Sequence, residues 1–188
     1  LLSAREPELQ DGQRVHGSEL ASAFASLRAN ELVWNYVVGN YLKGQTPPAF
    51  DLLYWNGDSA NLAGPMFAYY LSEFYIGNRL AEPGALTMAG ERIDLATLTM
   101  PIYVYASRDD HIVPWKSAWR TTALAGSADA TFVLGASGHI AGVVNPPSAG
   151  KYQYWTNDGE VSSFDDFVAG AKETPGSWWG DWRAWIDS

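Results

Sequence analysis

Two short apolar runs in the second half of the chain have the pattern of strands in a parallel β-sheet. The first covers residues 102–105 and the second covers residues 131–134, and neither alternates between apolar and polar positions. Continuous runs of this kind are typical of strands covered on both faces. Between them, residues 114–125 predict a helix, with Pro114 at its first position and Gly126 just beyond its end. The pattern therefore predicts a parallel strand–helix–strand unit of an α/β fold.

An acidic pair and a histidine follow these two strands. Asp109 and Asp110 come directly after the first strand, and His139 stands in a glycine-containing loop after the second. Reactive groups collect outside the carboxyl ends of strands in open α/β sheets. A carboxylate there can orient an imidazole and leave its other nitrogen as a base. The order of acid and then histidine is that of an α/β-hydrolase whose nucleophile precedes both. From position alone, either aspartate could be the acid, and the histidine could equally be structural.

No nucleophile for such a triad is recognisable in the chain. It contains no cysteine and no Gly-x-Ser-x-Gly string, and its first residue is Leu1 rather than Met. Only two clear parallel strands are predicted, whereas a sheet usually has more. We therefore expect the chain to be the carboxyl-terminal portion of a larger α/β fold whose nucleophile lies upstream.

The first part of the chain predicts mostly helices. Ser18 is expected to cap a helix over residues 19–28, and Asn30 a second one over residues 31–42. A third helix from Pro65 to about residue 75 is apolar on nearly all sides.

Later segments predict a small hairpin around residues 86–94, a short helix over residues 163–171 and a final helix. Trp178, Trp182 and Trp185 form a stripe along that final helix and are expected to pack on the sheet.

Composition and charge narrow the possible functions. The formal net charge of −9 disfavours nucleic-acid binding, and no apolar run is long enough to span a bilayer. No charged and then apolar leader is seen at the start, so no signal peptide is expected. Three widely spaced histidines predict no metal site.

Six strings, spread over nearly the whole chain after about residue 15, resemble the class I polyhydroxyalkanoate synthases and occur in that family's order. They are NELVWNYVVGNYLKG (Asn30–Gly44), FDLLYWNGDSANLAGP (Phe50–Pro65), SRDDHIVPW (Ser107–Trp115), LGASGHIAGVVNPP (Leu134–Pro147), YWTNDGE (Tyr154–Glu160) and GSWWGDW (Gly176–Trp182). The resemblance implies an α/β-hydrolase fold with a mostly helical cap insertion. The corresponding divisions are an edge segment at 1–17, a cap at 18–85 and the core at 86–188.

The resemblance also assigns roles to residues. Asp110 would be the acid and His139 the general base of a Cys–His–Asp triad. His111 directly follows this aspartate, and that position, rather than the resemblance, predicts a hydrogen-bond donor beside the acid and not a catalyst. Trp55 would lie near the active site, on the inner side of a cap over the acid–histidine pair.

The family implies an acyltransferase that polymerises (R)-3-hydroxyacyl-CoA, here expected to be 3-hydroxybutyryl-CoA, into polyester with release of coenzyme A. It implies no cofactor, a homodimer, and a location on polyhydroxyalkanoate granules in the cytoplasm. The catalytic cysteine would lie in the amino-terminal portion of the same protein. Two alternatives stay open at this point: an esterase or polyester depolymerase of the same fold, and a non-enzymatic aromatic-rich binding module.

Overall fold

The computed structural model describes residues 14–27, 29–47, 49, 58–159 and 161–188, so that Trp55 lies outside the described residues. The chain divides into two compact units, Leu1–Arg79 and Leu80–Ser188. The divisions predicted from sequence, and the placement of a cap over the site, stay predictions.

The described residues of the first unit are mostly helical, as their pattern predicts. Its elements are β1 (Arg14–Val15), α1 (Gly17–Leu27), π-type helical segments at Asn30–Trp34 and Val37–Leu42, β2 (Leu62–Ala63) and α2 (Gly64–Tyr69), which continues as a π-type segment at Tyr70–Ile76. β1 and β2 pair in antiparallel fashion. Pro65 lies in the first turn of α2, where its missing N–H leaves no hydrogen bond unmade.

The two predicted helix caps in this unit are wrong. α1 begins at Gly17, and the Gly17 N–H donates to the Asn61 side chain at 3.1 Å, so Ser18 lies inside the helix. Asn30 also lies within a helical segment, because Ala29 before it already has helical φ and ψ angles. The helix starts are therefore set partly by contacts that are remote in sequence.

The second unit contains a four-stranded sheet and a separate hairpin. The strands are β3 (Leu86–Met88) and β4 (Glu91–Ile93) in the hairpin, and β5 (Ile102–Ser107), β6 (Ala130–Gly135), β7 (Gln153–Thr156) and β8 (Lys172–Pro175) in the sheet. The helices are α3 (Trp115–Leu124), α4 (Phe164–Gly170) and α5 (Trp179–Ile186), with short 3-10 turns at Arg79–Ala81, Leu95–Thr97 and Pro147–Ala149.

The sheet order is β5-β6-β7-β8. β5 and β6 are parallel, with Ile102 opposite Ala130 and Ser107 opposite Gly135, which confirms the predicted unit. β7 and β8 add two antiparallel strands that the sequence analysis missed. β8 has the sequence Lys-Glu-Thr-Pro, which lacks the apolar pattern of an internal strand. The strand is accordingly largely exposed.

The predicted start of α3 is wrong by one residue, whereas α4 forms where a helix was expected. Pro114 has an extended ψ of 129° and immediately precedes α3, so it is not the first helical residue. The helix at Phe164–Gly170 is as expected, and the Ser163 hydroxyl accepts from the Asp166 N–H at 3.1 Å as its cap.

Both faces of β5 are covered within this unit. Ala106 joins Phe132, Leu134 and Phe167 in the buried cluster beside α3 and α4. On the opposite face, the Tyr105 ring stacks on Trp178 with centroids 4.3 Å apart, and Tyr103 contacts Trp185 at 5.4 Å. The tryptophan stripe therefore packs on the sheet through its first and last members.

Trp182, the middle member of that stripe, is 42% exposed and contacts the ring of Trp178. Among the described residues, no helix has the length and apolar character needed to cross a bilayer.

Candidate active site

The carboxylate of Asp110 and the imidazole of His139 meet beyond the carboxyl ends of β5 and β6. Asp110 Oδ2 lies 2.8 Å from His139 Nδ1. Because the two strands are parallel neighbours, the loops that follow them leave the same edge of the sheet. The predicted proximity of these two side chains is confirmed.

Asp110 is held by its own loop. Its second oxygen, Oδ1, accepts hydrogen bonds from the backbone N–H groups of Ile112 at 2.8 Å and Val113 at 2.9 Å. The Asp110 N–H donates to the carbonyl of Ser107 at 3.2 Å. Asp110 therefore forms the local turn expected of an aspartate, and it uses its other oxygen for the histidine.

The surroundings of Asp110 favour its ionised form. Partial burial raises its pKa, but hydrogen bonds from the Val113 N–H, His139 and the Ile112 N–H outweigh that effect, so the pKa of Asp110 lies below its usual value. An ionised carboxylate has no proton to donate. The hydrogen in the Asp110–His139 contact therefore belongs to Nδ1, so that in a neutral imidazole Nε2 is the nitrogen that can accept a proton.

The two partners differ in exposure. Only 8% of the Asp110 side chain is exposed, against 42% of the His139 side chain. The carboxylate is thus shielded while the imidazole is partly exposed, an arrangement that is compatible with general-base chemistry on an incoming group.

The histidine lies in a tight turn after β6. The Gly142 N–H donates to the Gly138 carbonyl at 2.9 Å, and the Val144 N–H donates to the Ile140 carbonyl at 2.8 Å. Ser137, just before this turn, has a φ of 75°, an uncommon value for a residue other than glycine.

A backbone hydrogen bond joins the acid loop to the histidine loop, because the Asp109 N–H donates to the Ser137 carbonyl at 3.0 Å. The Asp109 side chain is 59% exposed and pairs with Arg108 at 3.4 Å. Of the two adjacent aspartates, it is therefore Asp110 that contacts the histidine. His111 is exposed. Its predicted donation to the acid stays a prediction, as does the role of Trp55.

Sequence analysis missed several groups around the histidine turn. The Tyr105 hydroxyl donates to the Gly142 carbonyl at 2.7 Å, and the Trp178 Nε1–H donates to the same oxygen at 3.2 Å. The Trp179 Nε1–H donates to the Val143 carbonyl at 3.0 Å. The sequence interpretation gave Trp178 only a packing role; the signal it did not use is that indole N–H groups usually find an acceptor when partly buried.

A small cavity of about 190 Å³ opens beside the pair. Its lining is mostly apolar and consists of Tyr105, Ala106, Ser107, Val113, Ala118 and Val143 with Asp110 and His139. Among the described residues, no three side chains of the metal-binding types are grouped closely enough to hold a metal ion.

Comparison with known proteins identifies the fold family. A family model described as the alpha/beta hydrolase fold matches residues 5–146. The chain belongs to the α/β-hydrolase fold family. This confirms the predicted fold class and agrees with the acid and the histidine following adjacent parallel strands, as α/β-hydrolases have them.

Within the α/β-hydrolases, the chain is similar to polymerases of hydroxyalkanoates. It is 55% identical over 172 residues to poly(3-hydroxyalkanoate) polymerase subunit PhaC of Cupriavidus necator, a match that covers 92% of this chain and 29% of the relative. For the protein of the same name from Rhizobium meliloti, identity is 48%, with 92% of this chain and 28% of the relative covered.

The poly(3-hydroxyalkanoate) polymerase of Methylorubrum extorquens is 40% identical, and its match covers 99% of this chain and 31% of the relative. The chain thus spans less than a third of the length of these relatives. The resemblance to polyhydroxyalkanoate synthases is confirmed over nearly all of this α/β-hydrolase chain.

Proposed function

We propose that this chain supplies the acid and the general base of a polyhydroxyalkanoate synthase, an acyltransferase that polymerises (R)-3-hydroxyacyl-CoA. The observation that carries the proposal is the 2.8 Å contact between Asp110 and His139, found in a chain that is similar to polymerases over most of its length. The proposed nucleophile is a cysteine in the amino-terminal portion of the complete polypeptide, since this chain contains none.

In the first transfer, Nε2 of His139 takes the proton of the cysteine thiol, and the resulting thiolate attacks the thioester carbonyl. Asp110 holds the Nδ1–H and stabilises the imidazolium that forms. When the tetrahedral intermediate collapses, the bond to the coenzyme A sulfur breaks. The imidazolium returns its proton to that sulfur, and an acyl-enzyme and free coenzyme A result.

In the second transfer, His139 takes the proton of a hydroxyl group on another monomer or on the growing chain. The alkoxide oxygen attacks the acyl-enzyme, an ester bond forms, and the carbon–sulfur bond to the enzyme breaks. The proton on His139 then goes to the cysteine sulfur. Both transfers therefore use the same base in the same tautomer, and the partly exposed imidazole supports this assignment.

The apolar lining of the cavity beside the pair supports an acyl group as the bound part of the substrate. We include 3-hydroxybutyryl-CoA as the monomer, a homodimer as the assembly and the granule surface in the cytoplasm as the location. These three parts rest on the similarity to the polymerases. The proposed reaction requires no cofactor.

Neither alternative function is favoured by an observation of its own. An esterase or depolymerase would share the acid and the histidine, but it would pass the acyl group to water. A binding module would have no need of the Asp110–His139 contact, with the acid shielded and the base exposed.

The test is an assay of the complete polypeptide with 3-hydroxybutyryl-CoA that measures coenzyme A release, polymer and free 3-hydroxybutyrate. Polymer with little free acid is the expected product, and the 188-residue chain alone should release no coenzyme A. Free acid as the main product would establish the hydrolase instead. Coenzyme A release by the 188-residue chain alone would show that the proposed nucleophile is wrong.

A further inference from the structure

We propose that Tyr105, Trp178 and Trp179 are positioning residues for His139, because they hold the turn that carries its imidazole. The effect on turnover rests on the proposed function, whereas the effect on the Asp110–His139 contact can be measured without it. Trp178 and Trp179 are not part of the lining of the cavity beside the pair, whereas Tyr105 is.

The three donors converge on two consecutive carbonyl groups. The Gly142 oxygen accepts from the Tyr105 hydroxyl at 2.7 Å and from the Trp178 indole at 3.2 Å. The next carbonyl, that of Val143, accepts from the Trp179 indole at 3.0 Å. The Gly142 carbonyl is thus held from β5 and from the residue just before α5, and the Val143 carbonyl is held from the first residue of α5.

The path from these carbonyls to the histidine is short. The Gly142 N–H donates to the Gly138 carbonyl at 2.9 Å, and Gly138 immediately precedes His139. Fixing Gly142 therefore fixes the far end of the turn in which His139 is the second residue. A base must be held close to its productive geometry, since misplacement by about 1 Å can cost about 100-fold in rate.

The donors are themselves well fixed. The Trp178 ring stacks on the Tyr105 ring with centroids 4.3 Å apart, so each restrains the other. Burial raises the pKa of Tyr105, and the nearby charge of Asp110 adds to this, while the bond to Ser107 lowers it; the net shift is upward. The Tyr105 hydroxyl therefore keeps its proton and stays a donor at neutral pH.

The turn also fits its surroundings closely at Gly142. A Cβ added there would collide with the Ser107 hydroxyl and would lie 2.8 Å from the Gly138 carbonyl and 2.9 Å from that of Ala136. The backbone oxygens cannot rotate away as a side chain could. The position of this peptide is thus restricted both by close backbone contacts and by the aromatic donors.

The test compares phenylalanine variants of the complete polypeptide. Trp178→Phe and Tyr105→Phe each remove one donor and keep an aromatic ring. Trp182→Phe is the matched control, because it lies on the same helix, is 42% exposed and touches the Trp178 ring. Among the described residues, its indole N–H is not part of any hydrogen bond to the histidine turn.

Two readouts separate positioning from general structure. With ¹⁵N-labelled histidine, the downfield Nδ1–H signal of His139 reports the bond to Asp110. This signal should broaden or move upfield in Trp178→Phe and Tyr105→Phe, and it should stay unchanged in Trp182→Phe. Coenzyme A release should show kcat roughly tenfold lower in both Trp178→Phe and Tyr105→Phe. In Trp178→Phe, which changes no residue of the cavity lining, KM should be nearly unchanged, because the base is misplaced rather than the substrate site lost.

Unchanged signals and kcat in both Trp178→Phe and Tyr105→Phe would overturn the proposal, as would equal losses in Trp182→Phe. If the wild-type polypeptide releases no coenzyme A, the proposed function fails. The Nδ1–H signal then still decides whether these residues position the histidine. If one variant does not fold, the other carries the test, since each removes a different donor to the same carbonyl.

Discussion

The loop that carries Asp110 and the loop that carries His139 are held in opposite ways. The carboxylate is fixed by N–H groups two and three residues further along the chain. The histidine turn is fixed by side chains 36 and 37 residues away, from α5 and from β5. The acid is therefore the more local half of the pair and the histidine the more tertiary half, although the hydrogen bond from the Asp109 N–H to the Ser137 carbonyl joins the two loops.

This difference has a consequence for substitutions. Changes remote in sequence should disturb the base while they leave the acid in place, and changes inside the acid loop should act on the acid directly. We test that distinction in the complete polypeptide with four predictions, from the largest expected effect to the smallest.

The largest effect is expected for His139→Ala. It removes the base for both transfers, so coenzyme A release should fall by about 10²–10⁴-fold. Hydrogen exchange of the Ile112 and Val113 amides should stay near wild type, because their acceptor is the other oxygen of Asp110.

The matched control for that variant is His16→Ala, an exposed histidine that belongs to neither loop of the pair, which should keep nearly normal activity. Wild-type turnover in His139→Ala would show that the assigned base is wrong. Loss of protection at both amides would show that the acid loop depends on the histidine after all.

Asp110→Asn should reduce turnover less than His139→Ala does. An asparagine amide facing Nδ1 favours the wrong imidazole tautomer, a change that costs about 10⁴-fold in a serine triad. A thiol is more acidic than a serine hydroxyl and depends less on the base, so a smaller loss is expected.

Asp109→Asn is the control for the acid, because Asp109 is exposed and pairs with Arg108 rather than with the histidine. Steady-state coenzyme A release should be nearly normal in this variant. A larger loss in Asp109→Asn than in Asp110→Asn would reverse the assignment of the acid.

Gly142→Ala tests the tertiary half of the pair. The added methyl group must displace the turn, because two backbone carbonyls lie within 2.9 Å of it. We expect kcat to fall by roughly 10-fold and the Nδ1–H signal of His139 to shift. Gly180→Ala is the control, since a Cβ at that position in α5 meets nothing within 4 Å. Normal kcat and an unshifted signal in Gly142→Ala would mean that the turn tolerates displacement.

The smallest effect concerns pH and the local half of the pair. The pKa of Asp110 is lowered in the folded protein. At pH values below the ordinary carboxyl pKa of about 3.9, opening of the acid loop therefore allows the Asp110 carboxylate to take up a proton. The free energy of that opening should be constant above this range and should decrease as pH falls towards the lowered pKa.

Exchange of the Ile112 and Val113 amides measures that free energy, and titration of the Asp110 carboxyl by ¹³C NMR gives the pKa directly. Asp110→Asn should show no such dependence in this range. A carboxyl group that titrates at or above its ordinary value would contradict the account of how the acid is held.

The sequence by itself determined the parallel unit, the helix between its strands and the positions of an acid and a histidine after them. These features depend on apolar periodicity and on residues close together in the chain, so pattern and propensity suffice. The same holds for the short helix expected over residues 163–171 and for the hairpin of β3 and β4, whose pairing spans only a few residues. The string matches added the family, and with it the expectation that Asp110 is the acid.

Only the tertiary structure decided which donors reach the histidine turn and where the sheet continues. β8 is polar and becomes a strand because β7 offers it hydrogen-bonding partners, which no local pattern records. Tyr105 and Trp178 are aromatic residues of the kind that usually serves in packing. Their hydrogen bonds to the Gly142 carbonyl depend on where β5 and α5 lie in space. Side-chain hydrogen bonds across 36 or 37 residues are set by packing geometry, and no spacing along the chain specifies them.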